Sequence, residues 1–315
     1  MIWNILLAAA GAVLLLAVLL LIAARWACHR ALWVNKAWAG DLHRFIEGKQ
    51  YEPFYPEMRV YVDALQKLPR SDVSVTAEDG FTIWGRYFES APGNPLVLMF
   101  HGYRSDGQKD FAGAVPWFLN HGFNCVIAEQ RAHGRSDGKY LTFGVLERRD
   151  CLCWARWAEA RYPETPVILM GLSMGAATVL MASDLPLPEA VKGIVADCGY
   201  SSPKDIICSV MGDTPFARKA LFPLLNLGSR IYAKCDLTAA SAEDSLTRCT
   251  LPVLILHGED DRFVPISMTH KNYQACASDK TLFTVPGAPH GLSYMVDKAG
   301  YEKALAAFLD RVLGN

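Results

Sequence analysis

Val167-Ile168-Leu169-Met170-Gly171-Leu172-Ser173-Met174-Gly175 is the stretch on which the reading of this chain turns. Residues 167–170 form a short apolar run of the kind that makes a buried strand. Residues 171–175 are a turn with a serine at its apex, and the small apolar residues 176–181 continue as a helix. Strand, tight turn and helix in that order match the G-x-S-x-G pattern, in which a strained turn holds the serine hydroxyl clear of the sheet. Gly171 and Gly175 let the strand and the helix approach closely, because neither carries a Cβ. Met174 follows the serine, and its N–H lies where a helix begins, an unpaired donor that favours negative charge. A serine hydroxyl is a poor nucleophile at neutral pH. The rest of the chain must therefore supply a base, an orienting carboxylate and a second oxyanion donor.

The totals fit that demand. The chain has 315 residues, and removing an N-terminal apolar segment leaves enough for one α/β domain of about 250 residues. Hydrophobic residues make up 51% and charged ones 20%, which argues for a packed core and against disorder. The formal net charge of −1 offers no basic field, so nucleic acid is not an expected partner. Nine scattered cysteines contain no C-x-x-C, and Cys151-x-Cys153 has no partner pair. Neither a structural metal nor a cofactor is expected, and so many free thiols point to a reducing compartment.

Residues 5–24, ILLAAAGAVLLLAVLLLIAA, contain no charged or strongly polar side chain and are long enough to cross a bilayer core. The run exceeds the core of a cleaved signal peptide and no basic residue precedes it, so an uncleaved single-pass anchor over residues 1–24 is expected. Arg25, Arg30, Lys36, Arg44 and Lys49 follow it, which places the remainder of the chain in the cytoplasm by the positive-inside rule. Trp3, Trp26, Trp33 and Trp38 flank the span, and are expected at headgroup level or, for Trp33 and Trp38, packed on the underside of the domain. Residues 25–70 are expected to be a juxtamembrane connector. An amphipathic helix over 27–45 would be interrupted by Pro53 and Pro56, and a second helix would cover 57–68.

From residue 71 the pattern changes. Residues 72–77 and 81–88 form a hairpin around Glu78-Asp79-Gly80. Short apolar strands are then expected at 96–100, 124–129, 167–170, 191–197, 253–257 and 281–285, with helices between them and a closing helix at 297–313. A hairpin followed by strand–helix units gives a doubly wound, mostly parallel sheet with an antiparallel edge, the domain running from 71 to 315. Ligands of such sheets bind beyond the carboxyl ends of the strands, where every polar motif of this chain falls. One segment breaks the alternation. Residues 203–249 read as short helices at 203–210, 215–225 and 228–234, broken at Pro215 and Pro223. Their apolar content suits a lid over the strand ends.

Several groups compete for the remaining roles. Glu259, Asp260 and Asp261 share the loop after 253–257, while Asp197 and Glu129 also end strands. His290 lies in a Gly/Pro-rich loop, His257 at a strand end and His270 within a helix.

The set His101-Gly102-Tyr103, Arg131-Ala132-His133-Gly134-Arg135-Ser136, Gly171–Gly175, His257 to Pro265 and Pro289-His290-Gly291 resembles the α/β-hydrolase superfamily. Within it, the set is similar to the serine aminopeptidase-like and lysophospholipase-like branch. The resemblance implies the α/β-hydrolase fold and the chain order serine, acid, histidine. It makes Ser173 the nucleophile and His290 the base. The H-G-x-x-D-x-x-V-P pattern selects Asp261 as the acid. The H-G-x loop makes the Tyr103 N–H the second oxyanion donor beside Met174, and residues 131–136 become a structural loop. The implied activity is hydrolysis of a carboxylic ester or thioester of a small or lipid-like acyl substrate through an acyl-enzyme. The alternatives are a serine peptidase and a catalytically silent binding protein on the same fold.

Overall fold

The computed structural model describes residues 1–39 and 41–314. Eight strands form one sheet: β1 (Ser71–Thr76), β2 (Thr82–Phe88), β3 (Leu96–Phe100), β4 (Asn124–Ala128), β5 (Val167–Leu172), β6 (Val191–Asp197), β7 (Val253–Gly258) and β8 (Lys280–Val285). Their spatial order is β1-β2-β4-β3-β5-β6-β7-β8. The β1–β2 and β2–β4 pairs are antiparallel and all later pairs are parallel. This is the α/β-hydrolase fold.

Alternation along the central strands explains why both faces are dry. Leu96, Leu98 and Phe100 of β3 join one core together with Val126 and Ala128 of β4. Val97 and Met99, with Cys125 and Ile127, join the other. Side chains of a strand point alternately to opposite faces, so a continuous apolar run is what a sheet covered by helices on both sides requires. The elbow helix Met174–Ala182 packs on one face, entirely buried, and the closing helix Lys298–Leu313 covers the other.

The N-terminal region departs from expectation in extent. One helix runs from Ile2 to Leu32 without a break at Ala24, because residues 25–32 contain neither proline nor glycine. It stops where the backbone turns to pairing instead. Leu141 N–H donates to Leu32 O at 2.9 Å and Val34 N–H donates to Lys139 O at 3.1 Å, with Trp33 bridged to Tyr140. Among the described residues of 27–45 no amphipathic helix spans the stretch, and within it only Lys36–Ala39 is helical beyond this bridge. The side chain of Trp38 lies outside the described residues. The second connector helix is Tyr55–Lys67.

The insertion between β6 and β7 also differs. Pro203–Val210 is helical, but residues 215–233 form one unbroken helical run rather than two pieces. Pro223 cannot donate a hydrogen bond and its ring crowds the carbonyl four residues back. Widened π-type turns at Ala217–Leu221 and Ser229–Ala233 bracket the α-helical Phe222–Gly228, and the first of them absorbs the proline.

Candidate active site

Ser173 sits at the turn between β5 and the elbow helix with φ +55° and ψ −112°, a strained backbone for any residue with a Cβ. Two features hold it there. Its N–H donates to Asp197 O at 2.8 Å, tying the turn to the end of β6. Gly175 lies so close to β3 that a Cβ would strike the Phe100 carbonyl. The turn is thus tight on both sides, and the hydroxyl points out over the sheet.

His290 reaches Ser173 from the loop after β8. Its Nε2 is 2.9 Å from Ser173 Oγ and its Nδ1 is 2.6 Å from Asp261 Oδ2. Asp261 Oδ1 accepts from the backbone N–H groups of Phe263 and Val264, each at 2.8 Å. One carboxylate oxygen is therefore spent on fixing the loop and the other on orienting the imidazole. That makes Nδ1 the protonated nitrogen and leaves Nε2 to accept from the serine. All three side chains belong to buried residues. Glu259 and Asp260 are exposed, and Glu259 meets Thr284 instead. His257 is buried at the end of β7, where Nε2 binds Val264 O at 2.9 Å and Nδ1 meets Thr269 Oγ1 at 2.7 Å. Burial pushes its pKa down, against the attraction of Asp261, and it braces the loop that carries that carboxylate. His270 is exposed on the helix Ile266–Ala275.

The loop after β3 faces the same point. Gly102 N–H donates to Asp110 Oδ2 at 2.7 Å, and the Gln130 amide pins His101 O at 2.6 Å. Tyr103 N–H and Met174 N–H donate to no group among the described residues. The Tyr103 hydroxyl donates to Ala31 O at 2.7 Å, and the Arg104 guanidinium donates to Arg30 O and Trp33 O at 2.8 Å each. These groups cap the C-terminal carbonyls of the N-terminal helix, which would otherwise lack partners. The segment 131–136 is a scaffold, buried at Arg131, Ala132, His133 and Ser136 and exposed at Arg135. Arg131 makes a two-pronged bond to Asp150 at 2.6 and 2.7 Å, and Glu129 is held by Arg86 and Arg135.

Two neighbours adjoin the site: Asp197, already a strand-end carboxylate in the sequence reading, and Cys198, which that reading missed. Burial pushes the Asp197 carboxyl up to about 6, against a hydrogen bond from Tyr301 and the charge of His290. Cys198, at φ +49°, lies with its sulfur within 4.8 Å of the donor atoms of Asp261 and His290. Burial, then Asp197 and Asp261, raise its thiol well above the ordinary range, so it stays protonated. Asp261 and His290 are already bonded to each other.

Above Ser173 opens a cavity of about 900 Å³. Its floor is Ser173, His290 and Leu172. Its roof comes from three separate segments: Ala31 and Trp33 of the N-terminal helix and its exit, Phe45, Tyr51 and Tyr55 of the connector, and Ile206, Ile207 and Val210 of the insertion. Tyr51 is fully enclosed and its hydroxyl has no partner among the described residues. The connector's part in the cavity was not foreseen. Its only trace in the sequence is the aromatic spacing of Phe45, Tyr51, Phe54, Tyr55 and Tyr61.

Comparison with known proteins adds the following. The family model described as serine aminopeptidase, S33, matches residues 92–221 and 226–295. Protein YqkD of Bacillus subtilis is 21% identical over 79% of this chain and 82% of its own length. The bifunctional esterase/perhydrolase DCH of Acinetobacter calcoaceticus is 26% identical over 75% of this chain and 98% of its own. Among solved structures, the esterase Pf2001 of Pyrococcus furiosus superposes with a TM-score of 0.65 at 22% identity, covering 79% of this chain and 93% of that one.

Proposed function

The chain belongs to the serine aminopeptidase (S33) family of α/β hydrolases, and from that premise we propose that it is a membrane-tethered serine esterase or thioesterase acting through Ser173, His290 and Asp261. That it is an α/β-hydrolase enzyme follows from the family and its esterase relatives. The observation that carries the finer reading is the unbroken hydrogen-bond chain from Ser173 Oγ through His290 to Asp261.

In this mechanism His290 Nε2 takes the proton as Ser173 Oγ attacks the acyl carbonyl. The Tyr103 and Met174 N–H groups, both without a partner among the described residues, receive the oxyanion. The protonated imidazole, held by Asp261, gives its proton to the leaving alcohol or thiol. An acyl-enzyme remains, and water activated by the same histidine releases it.

The cavity's charge favours an ester over the peptidase reading. An aminopeptidase must hold a free ammonium, which calls for an unoccupied carboxylate. Among the described residues, the two carboxylates at this cavity are Asp110 and Asp197. Asp110 is engaged by Gly102 N–H and by the Ser105 hydroxyl, and Asp197 is buried with its pKa raised. The cations Arg30, Arg104 and Lys109 stand at the same cavity and repel an ammonium. The N-terminal helix serves as a single-pass anchor, with the basic residues that follow it on the cytoplasmic side.

The test is covalent. A fluorophosphonate probe should label the wild type and not Ser173→Ala, and p-nitrophenyl esters should be turned over in preference to aminoacyl anilides. Absence of labelling in folded protein would refute the mechanism, and exclusive turnover of the anilides would move the reading to a peptidase.

A further inference from the structure

We infer that the cavity draws its substrate from the bilayer itself: the substrate class is a long-chain acyl ester resident in the leaflet, and the insertion lies on the lipid surface beside the N-terminal helix. This rests on the esterase reading above and names the source of its substrate.

The geometry begins with the helix Ile2–Leu32. Its most apolar window has a mean hydropathy of 3.1 and none of that window is buried against the protein. From Ala24 onward the helix is seated in the domain, with Ala24, Cys28 and Leu32 buried. The seat is the insertion. Gly228 meets the Ala24 backbone so closely that a Cβ there would collide with the Ala24 carbonyl. The last apolar residue of the span and the insertion helix therefore touch. Whatever depth the bilayer gives Ala24, the insertion helix lies at that depth too.

Distance then places the cavity. Ala31, a cavity wall, is seven residues beyond Ala24 on the same helix, about 10 Å along the axis. The headgroup layer extends about 5–8 Å beyond each side of the hydrocarbon core. The wall thus stands within a few ångströms of the lipid–water boundary, and no long aqueous path separates leaflet and cavity.

The surface of the insertion fits that position. Phe216 is 66% exposed and Leu227 is 40% exposed, both on the helical run that touches Ala24. Val210, 67% exposed, carries the apolar surface from the outside of the insertion into the cavity. Large apolar side chains left bare on a soluble face need a cover, and the adjoining span supplies one in lipid. Cations accompany them. Arg25 lies 5.4 Å over the Tyr232 ring and Lys219 sits on the same run, where lipid phosphates would meet them, while Arg218 is paired with Asp205 and Asp213 and Arg230 with Asp236.

The experiment uses the full chain reconstituted in phosphatidylcholine vesicles. The vesicles carry 4-methylumbelliferyl oleate, and water-soluble 4-methylumbelliferyl butyrate is assayed in parallel. Phe216→Asp, alone and with Leu227→Asp, should lower turnover of the vesicle ester about tenfold or more and leave butyrate turnover within twofold. Wild-type turnover of the oleate should follow its mole fraction in the bilayer and not its bulk concentration. Equal loss on both esters, no loss on either, or dependence on bulk concentration would overturn the inference. So would a change in oligomeric state on Phe216→Asp, which would make a second copy of the chain the cover. If the wild type hydrolyses neither ester and takes no fluorophosphonate, the esterase reading itself has failed. Butyrate turnover by the variants reports that they are folded.

Discussion

The floor and the roof of the cavity are built on different principles. The floor hangs from main chain. Ser173 is fixed by a strained φ, by an N–H bond to Asp197 and by contact of Gly175 with β3, while Asp261 is fixed by two backbone donors. The roof is side chains on three segments that are far apart in sequence, joined by contacts such as those of Tyr103 and Arg104 with the N-terminal helix. Backbone constraints fix atoms to within a fraction of an ångström and leave little room for change. Side-chain contacts can be exchanged one at a time. Under the proposed function, the difference teaches where reaction type and substrate choice would each be stored: the first in the floor, the second in the roof.

Breaking the floor should therefore cost the most. Ser173→Ala is expected to lower kcat by about 10⁴–10⁶-fold, measured on a p-nitrophenyl ester, with the fold unchanged by circular dichroism. Asp261→Asn should lose about 10⁴-fold, because the wrong imidazole tautomer would face the serine. Gly175→Ala tests the main-chain half of the comparison. Its Cβ meets the Phe100 carbonyl, which cannot rotate away. The expected destabilisation is about 3 kcal/mol, the upper end for overpacking, read as a drop of roughly 6–12 °C in Tm. A Gly175→Ala protein with wild-type Tm would show that the turn is as adaptable as the roof.

The same difference explains what could be read from sequence. The floor was legible because its chemistry forces particular residue types at particular strand ends. A glycine must lie beside β3, a histidine must follow β8, and a carboxylate must follow β7, so each leaves a local pattern. The parallel sheet was legible for a similar reason, since strands buried on both faces read as apolar runs. The roof left no such mark. Trp33 pairs with Tyr140 and Tyr51 covers the cavity through contacts that no local pattern encodes. Cys198 was passed over, and Asp197 was weighed only as a rival acid, because their relation to His290 arises only when β6 is laid beside β7. Pro223 misled for a physical reason: it breaks an α-helix, but a π-type turn before it removes the clash.

Asp197 lies where floor and roof meet, and its titration sharpens the boundary. Burial raises its folded pKa to about 6 from an ordinary 3.8. The folded state then binds the proton more tightly than the unfolded one. The associated stability is fully present below about pH 4 and is lost as the pH rises through about 6. Asp197→Asn removes the ionisation. It should be as stable as the wild type near pH 4 and more stable at pH 8, by an amount on the order of 3 kcal/mol. Thermal unfolding at both pH values checks this. A gain that is equal at the two pH values would mean that packing, not the buried charge, sets the cost.

Arg104 tests whether the roof can reach the floor. Its guanidinium holds the carbonyls of Arg30 and Trp33, and the neighbouring Tyr103 N–H is the proposed oxyanion donor. Arg104 also has φ +50°, so the loop has adopted an unfavourable backbone to make these bonds. Arg104→Ala frees the helix end at a cost of about 1–2 kcal/mol. If the loop is aimed by that clamp, the donor loses its alignment, and kcat should fall about tenfold for short and long acyl chains alike. Both bonds leave from Arg104 Nη2, and Arg104→Lys keeps the charge on an ammonium one bond nearer the backbone, so it should recover only part of the loss. If KM rises for long chains alone while kcat holds, the roof selects substrate without touching the chemistry, and floor and roof are independent parts. A uniform fall in kcat would instead make the seating of the N-terminal helix a condition for catalysis, because the same bonds that cap its carbonyls would then orient the oxyanion loop.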